Sequence, residues 1–364
     1  MMATSLSTDQ LKLLHEGTVI PAHPLALTND KSLDERRQRA LTRYYIESGA
    51  GGIAVGVHTT QFEIRDPEVQ LLEPVLRLAS EEVERAGLTR PFLKIAGVCG
   101  PLEQALEEAK LAYSYGYDLI LVSMGGLPSY SEREHLHRIS ELSSVLPVCG
   151  FYLQPSVGGR TFPYSFWKEF VEIEGVVAIK LAPFNRYQTL DVVRAVCESR
   201  RRDDVALYTG NDDNIVADLL TPYTFTVNGE QVTKHFAGGL LGQWAVWTSK
   251  AVELYEEIRV AKANKEIPLT LLQKGIELTD CNAVLFDVAH DFKGCIAGIN
   301  EVLRRQGLLA SSICLSEKEV LSKGQSQAID RVYASYPHLT DDAFVSKHRS
   351  RWLHECKEAT TKER

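Results

Sequence analysis

"GVVAIKLAPF", residues Gly175 to Phe184, is an apolar run broken once, by Lys180, and stopped by Pro183. So short a run, bounded by glycine and proline and opening on two valines, reads as a buried strand over 176–182. Alternation along a strand places Val176, Ala178, Lys180 and Ala182 on one face and Val177, Ile179 and Leu181 on the other. The Lys180 face has small neighbours and the opposite face bulky ones. That pattern suits a long side chain extending inside a barrel while the bulky residues meet a layer of helices.

Working outward, further apolar, β-rich segments lie at 18–23, 51–57, 92–98, 118–124, 147–154, 205–210 and 235–241. Amphipathic helical stretches such as "SLDERRQRALTRYYIESG" and "SEREHLHRISELSSVL" separate them, several opening on a Ser or Asp suited to capping. Eight such repeats predict an α/β fold, a (β/α)8 TIM barrel over 1–265. A doubly wound sheet is the competing architecture, but "VIPAHPLALTND" lacks the Gly-rich phosphate turn usual after its first strand. Between strands seven and eight, "TPYTFTVNGEQVTKHF" has an Asn-Gly turn between two β-like pieces, which predicts an inserted hairpin. Residues 266–364 read as a helical C-terminal extension whose apolar faces must cover this barrel or a partner's, with a frayed "KEATTKER" at the end.

The 364 residues carry a net charge of −8 with both signs mixed along the chain. A nucleic acid or an anionic membrane needs a basic face, so neither is expected as a partner, and a small molecule is. The N-terminal stretch has no basic region followed by an apolar core, and no apolar run approaches the ~20 residues of a membrane span, so a cytoplasmic location is expected. Seven cysteines (99, 149, 197, 281, 295, 314 and 356) follow no metal-ligand or disulfide spacing and read as reduced, apolar fillers. His135 and His137 straddle Leu136 and share no helix face at ligand spacing, so both read as surface residues and no metal is expected.

The preceding strand carries a second misfit. In "PVCGFYLQPSVGGR", alternation groups Tyr152 with Gly150 and Val148, and sets Cys149, Phe151 and Leu153 on the other face. If both Tyr152 and Lys180 point inward from adjacent strands, a phenol lies beside a desolvated amine. Burial lowers the amine pKa, a neutral amine attacks carbonyls, and a phenol shuttles protons. Each residue alone also has a structural reading, the lysine reaching out to solvent and the tyrosine packing in the core.

These segments resemble the class I, Schiff-base aldolases of the dihydrodipicolinate synthase and N-acetylneuraminate lyase superfamily. "FYLQPSVGGRTF" is similar to that family's Tyr-Asn-x-Pro segment, "EGVVAIKLAPFN" to its imine-forming strand, and "LYTGNDD" to its seventh-strand end, with weaker likeness over roughly 17–310. The resemblance implies Lys180 as the nucleophile that condenses with a 2-oxo acid and Tyr152 as the general acid/base. It implies no cofactor, because the protonated imine is the electron sink, and it implies a homodimer or homotetramer.

The departure lies after strand two: the resemblance implies two small hydroxyl or glycine positions that grip the carboxylate, but the first two positions after Gly56 are Val57 and His58, with Thr59 and Thr60 following, and the usual Gly-Glu is absent. Either the two threonines or His58 would grip the substrate carboxylate. Arg160 reads as a bidentate clamp on a carboxylate or as a partner of a surface acid. Asn211 and Asp212 read as holders of substrate hydroxyls, with Asp212 or Asp213 alternatively capping the next helix. The expected function is a Schiff-base lyase, aldolase or dehydratase, for pyruvate or another small 2-oxo acid or 2-oxo-3-deoxy sugar acid. The alternative is a barrel that binds such an acid without turnover.

Overall fold

In a computed structural model, residues 6–354 are described; Cys356 and the tail 357–364 lie outside them. Eight parallel strands alternate with helices: β1 (Val19–Pro21), β2 (Gly52–Val55), β3 (Leu93–Val98), β4 (Leu119–Ser123), β5 (Val148–Leu153), β6 (Val176–Ala182), β7 (Ala206–Thr209) and, after a hairpin, β10 (Phe236–Leu241). The sheet runs β1-β10-β7-β6-β5-β4-β3-β2, and a parallel bridge between Ala22 and Ala54 joins its ends, so the chain forms a (β/α)8 barrel. The inserted hairpin pairs β8 (Tyr223–Val227) with β9 (Glu230–Lys234) around Asn228-Gly229, where both residues take positive φ as a two-residue turn requires.

The barrel interior and the helix layer form separate apolar clusters. Ile20, Leu93, Leu121, Phe151, Ala178 and Leu240 fill the inside, and a much larger cluster lies between strands and helices. An N-terminal helix, Thr8–Glu16, closes the floor: Leu14 enters the inner cluster, and its carbonyl accepts the Tyr208 hydroxyl at 3.0 Å.

Register corrects the expected faces of β5. Phe151 pairs with Lys180 and Tyr152 with Leu181. Neighbours in a parallel register share a face, so Cys149, Phe151 and Leu153 point into the barrel, while Val148 and Tyr152 lie in the helix layer. The strand is buried on both faces, and hydrophobicity therefore does not set its phase. A bulge at Val148/Cys149 also shifts the start of β6, moving Val176 outward and Val177 inward. From Ala178 onward the expected alternation is observed, with Lys180 inward.

The extension packs on its own barrel. Helix Leu269–Leu285 lies on helix Ile215–Leu220, and helix Asp342–Trp352 lies on helix Glu35–Glu47, within one continuous apolar cluster. Tyr44 ties these parts together, donating to Asp341 Oδ2 at 2.7 Å while accepting the Thr248 N–H at 2.8 Å. The six described cysteines form no disulfide. Among the described residues no helix is long and apolar enough to cross a membrane, and no group of three or more His, Cys, Asp or Glu is placed to hold a metal. His137 is exposed as expected, but His135 is buried, its ring edge-on to Phe162.

The face of β5 is testable at Gly150, where an added Cβ would lie 2.4 Å from the Phe170 ring in the helix layer. Gly150→Ala should lower unfolding free energy by about 1–3 kcal/mol in urea titrations through overpacking. Wild-type stability would place Gly150 on the open, cavity side.

Candidate active site

At the C-terminal ends of the strands, where barrel enzymes carry their chemistry, a cavity of about 60 Å³ surrounds the Lys180 amine. Strand ends and following loops supply Ala22, Val57, His58, Thr59, Phe151, Gln154, Gly210, Asp212 and Gly242, and the C-terminal extension supplies Phe286, Phe292 and Cys295. The space holds roughly four or five water-sized positions, enough for a ligand of about three carbons.

Lys180 is only 7 % exposed. Its Nζ stands 4.2 Å from the centre of the Phe151 ring, and its Cε runs past Gly210, where an added Cβ would come within 2.7 Å of it. Glycine there leaves the channel through which the amine reaches the cavity. Burial lowers the amine from 10.5 to about 8, although Asp212 acts in the opposite direction. Asp212 answers in kind: desolvation raises its carboxyl from 3.8 to about 7, against the attraction of Lys180. Burial, with help from the Lys180 charge, drops His58 to about 4, so its imidazole is neutral near pH 7. Cys149 lies in the inner cluster, contrary to expectation, but burial pushes its thiol to about 12 and leaves it inert as a nucleophile.

The expected site residues divide. Lys180, His58, Thr59 and Asp212 line the cavity together. Tyr152 does not: its ring packs 4.8 Å from Trp167 in the helix layer, and Phe151 presents the side chain beside Lys180. Thr60 lies behind the wall, its hydroxyl donating to the His23 carbonyl at 2.6 Å and accepting the Gly56 and Val57 N–H groups. Thr59 spends its single hydroxyl proton on the Ala22 carbonyl at 2.8 Å. Neither threonine hydroxyl therefore has a proton left for a carboxylate. Arg160 turns away as well, donating to the Tyr130 carbonyl and stacking 5.2 Å over Phe162.

Asn211 is a structural joint. Its Oδ1 accepts the Phe184 N–H at 3.1 Å and its Nδ2 donates to Asp218 at 2.9 Å. The first bond helps hold Phe184 at φ 50, a left-handed backbone uncommon for a bulky residue. Phe184 there meets Phe292 of the extension at 6.0 Å between ring centres, and the two rings cover the cavity. Neither Asp212 nor Asp213 caps the next helix, whose N-cap position is Asn214.

Sequence reasoning missed Gln154, whose place in "YLQP" beside the quoted motif was the available signal, and the whole extension wall, for which local sequence carries none. Beyond the rings the cavity meets a second one of about 340 Å³, sharing His58, Val157 and Phe292 and lined by polar groups including Gln61, Ser156, Lys293, Ser316 and Lys318.

No family model matches the chain. It is 25% identical over 205 residues to N-acetylneuraminate lyase of Citrobacter koseri, a stretch covering 56% of this chain and 65% of that protein. Its fold matches the dihydrodipicolinate synthase of Oceanobacillus iheyensis with a TM-score of 0.69 at 16% identity, over 91% of this chain and 100% of that one. The match to YagE, an Escherichia coli K12 prophage protein of the dihydrodipicolinic acid synthase family crystallised with pyruvate, has a TM-score of 0.69 at 17% identity, over 88% and 97% of the respective chains. The chain is thus similar to class I aldolase-type lyases in part of its sequence and in its barrel fold.

The lowered amine has a direct readout. Cyanate modifies neutral amines, so carbamylation of Lys180, followed by peptide mass, should level off above pH about 8, while exposed lysines keep accelerating toward ~10. A Lys180 profile matching that of the exposed lysines would contradict the desolvated site. Because the fold lowers this pKa, the unfolded chain binds the proton more tightly between those values, and this group's contribution to stability rises with pH through that window.

Proposed function

We propose that the protein is a Schiff-base-forming lyase in which Lys180 condenses with pyruvate or another small 2-oxo acid, acting in the cytoplasm. The observation that carries the reading is a single lysine amine, desolvated to about pKa 8, projecting into a cavity sized for a three-carbon keto acid at the catalytic end of a barrel. The neutral amine attacks C2 of the 2-oxo acid, and loss of water leaves a protonated imine. That cation then accepts the electron pair released when a bond to C3 breaks, or when C3 loses a proton before bond making or dehydration, so no cofactor is needed.

For the carboxylate, the cavity offers the neutral His58 imidazole and the Gln154 amide, since the threonine hydroxyls are committed. The adjoining polar cavity supports a longer substrate, a 2-oxo-3-deoxy sugar acid whose hydroxyls extend past Phe292. The match to a lyase of sialic acid and to a barrel holding pyruvate supports the same class.

Phe151 in the place expected of a phenol favours a second reading, a barrel that binds a 2-oxo acid, even as an imine, without turning it over. Borohydride with pyruvate and a panel of 2-oxo acids, read by intact mass and peptide mapping, should give one adduct at Lys180 and none in Lys180→Ala. Labelling elsewhere would overturn the assignment. Turnover of any panel member supports the lyase over the binding protein.

We propose also a homodimer or homotetramer. Much of the extension's apolar surface is consumed on its own barrel, but Val260, Ile267, Leu269, Leu272 and Ile276 stay exposed on two successive helices and their connection, with Leu269 81 % and Ile276 73 % accessible. Light scattering at micromolar concentration should give a multiple of the chain mass, reduced by Ile276→Glu. A monomeric wild type would refute it.

A further inference from the structure

We infer that Asp212 carries the protons for Lys180, passing them between the amine and the C2 oxygen of the substrate; this rests on the Schiff-base reading above. Imine formation has a fixed proton count. An ammonium and a carbonyl become a protonated imine and water, so two of the three ammonium protons must leave with the oxygen. The first must come off nitrogen before the lone pair can form the C–N bond, and it ends on the oxygen as the C=O π bond breaks. The second leaves nitrogen from the carbinolamine and reaches that hydroxyl as the C–O bond breaks and the C=N bond forms. A single acceptor-donor beside the amine can relay both in turn.

The geometry supplies one such group. The phenol of Tyr152 is on the far side of β5, and that of Tyr208, though inside the barrel, is bound to the Leu14 carbonyl at the floor. Asp213 is exposed and absent from the cavity wall. Asp212 sits on the same loop as Gly210, against which the end of the Lys180 chain lies, and its own N–H folds back to the Gly210 carbonyl at 3.1 Å. That tight turn sets the carboxylate on the cavity wall with the amine. Asn282 fixes the turn from the extension side, donating to the Asp212 carbonyl at 2.7 Å, and the Gln243 N–H lies 3.4 Å from the carboxylate.

The titratable groups facing Asp212 are Lys180 on β6, His58 after β2, Asp213 beside it and Cys295 of the extension, while Cys149 on β5 faces Lys180. Burial holds both thiols neutral, and His58, at about 4, is a poor proton acceptor near neutrality. Burial raises the Asp212 carboxyl and lowers the Lys180 amine, so their proton affinities move toward each other, which favours exchange of a proton between them.

The test uses the full chain, pyruvate as probe, and borohydride quenching at timed intervals to follow the Lys180 adduct by mass. Asp212→Asn should slow imine formation by roughly 10²- to 10⁴-fold while still yielding the adduct at long times, and its rate profile should lose the inflection near pH 7. Asp212→Ala should regain at least about tenfold in rate with added formate, a recovery that a structural role would not show. Tyr152→Phe should stay within about threefold of wild type, with the inflection unmoved. Wild-type rates in Asp212→Asn, or a hundredfold loss in Tyr152→Phe, would overturn the inference. If the Asp212 variants fail to fold, the wild-type profile decides: an inflection near 7 retained in Tyr152→Phe supports Asp212, and its absence refutes it. Should the wild type form no adduct at saturating pyruvate, the Schiff-base reading itself fails, and this inference falls with it.

Discussion

Desolvation of one ammonium group governs the upper half of this barrel. Moving a lysine amine out of water is costly unless the charge is lost or met by an opposite one, and both responses are visible. The amine falls to about 8, and the carboxyl that shares its cavity rises to about 7. The packing enforces this state: Phe151 covers one side of the amine, Gly210 clears its path, and Cys149 lies on the inner face of the same neighbouring strand. Free access of water would return both groups toward their ordinary values.

Water is restricted by elements far apart in sequence. Phe184 is held in a left-handed backbone by Asn211, which is itself fixed by the buried carboxylate of Asp218. Across from it, Phe286, Phe292 and Cys295 descend from the C-terminal extension, and the same extension anchors Asp212 through Asn282. The extension is therefore part of the cavity wall as well as a cover for the barrel's outer helices. Its attachment runs through Tyr44, Thr248 and Asp341, three residues joined by two short hydrogen bonds deep in the helix layer.

Strand register decides the chemistry more than composition does. A tyrosine two positions before a glutamine and a proline resembles a known proton-relay motif, yet a one-residue difference in phase exchanges the faces of β5. Phenylalanine then meets the lysine, and tyrosine meets tryptophan. The cavity keeps the lysine on β6 and, where a phenol from β5 was expected, holds a carboxylate from the loop after β7.

The sequence by itself determined the barrel, its eight strands and the hairpin, because these rest on local signals: apolar runs of strand length, capped amphipathic helices and an Asn-Gly turn. It also determined Lys180 as the odd charge in a buried strand, since Ala178 and Ala182 flank it with small side chains on the same face. The inward face of β5 was left to the tertiary structure, because Cys149, Phe151 and Tyr152 are all acceptable in an apolar layer and the strand is buried on both sides. So were the burial of His135, the withdrawal of Arg160 and Thr60 into bonds with backbone carbonyls, and the Phe184–Phe292 cover. Each depends on which distant segment arrives beside the residue, and solvent exclusion, the cause of every large pKa shift here, exists only once those segments have met.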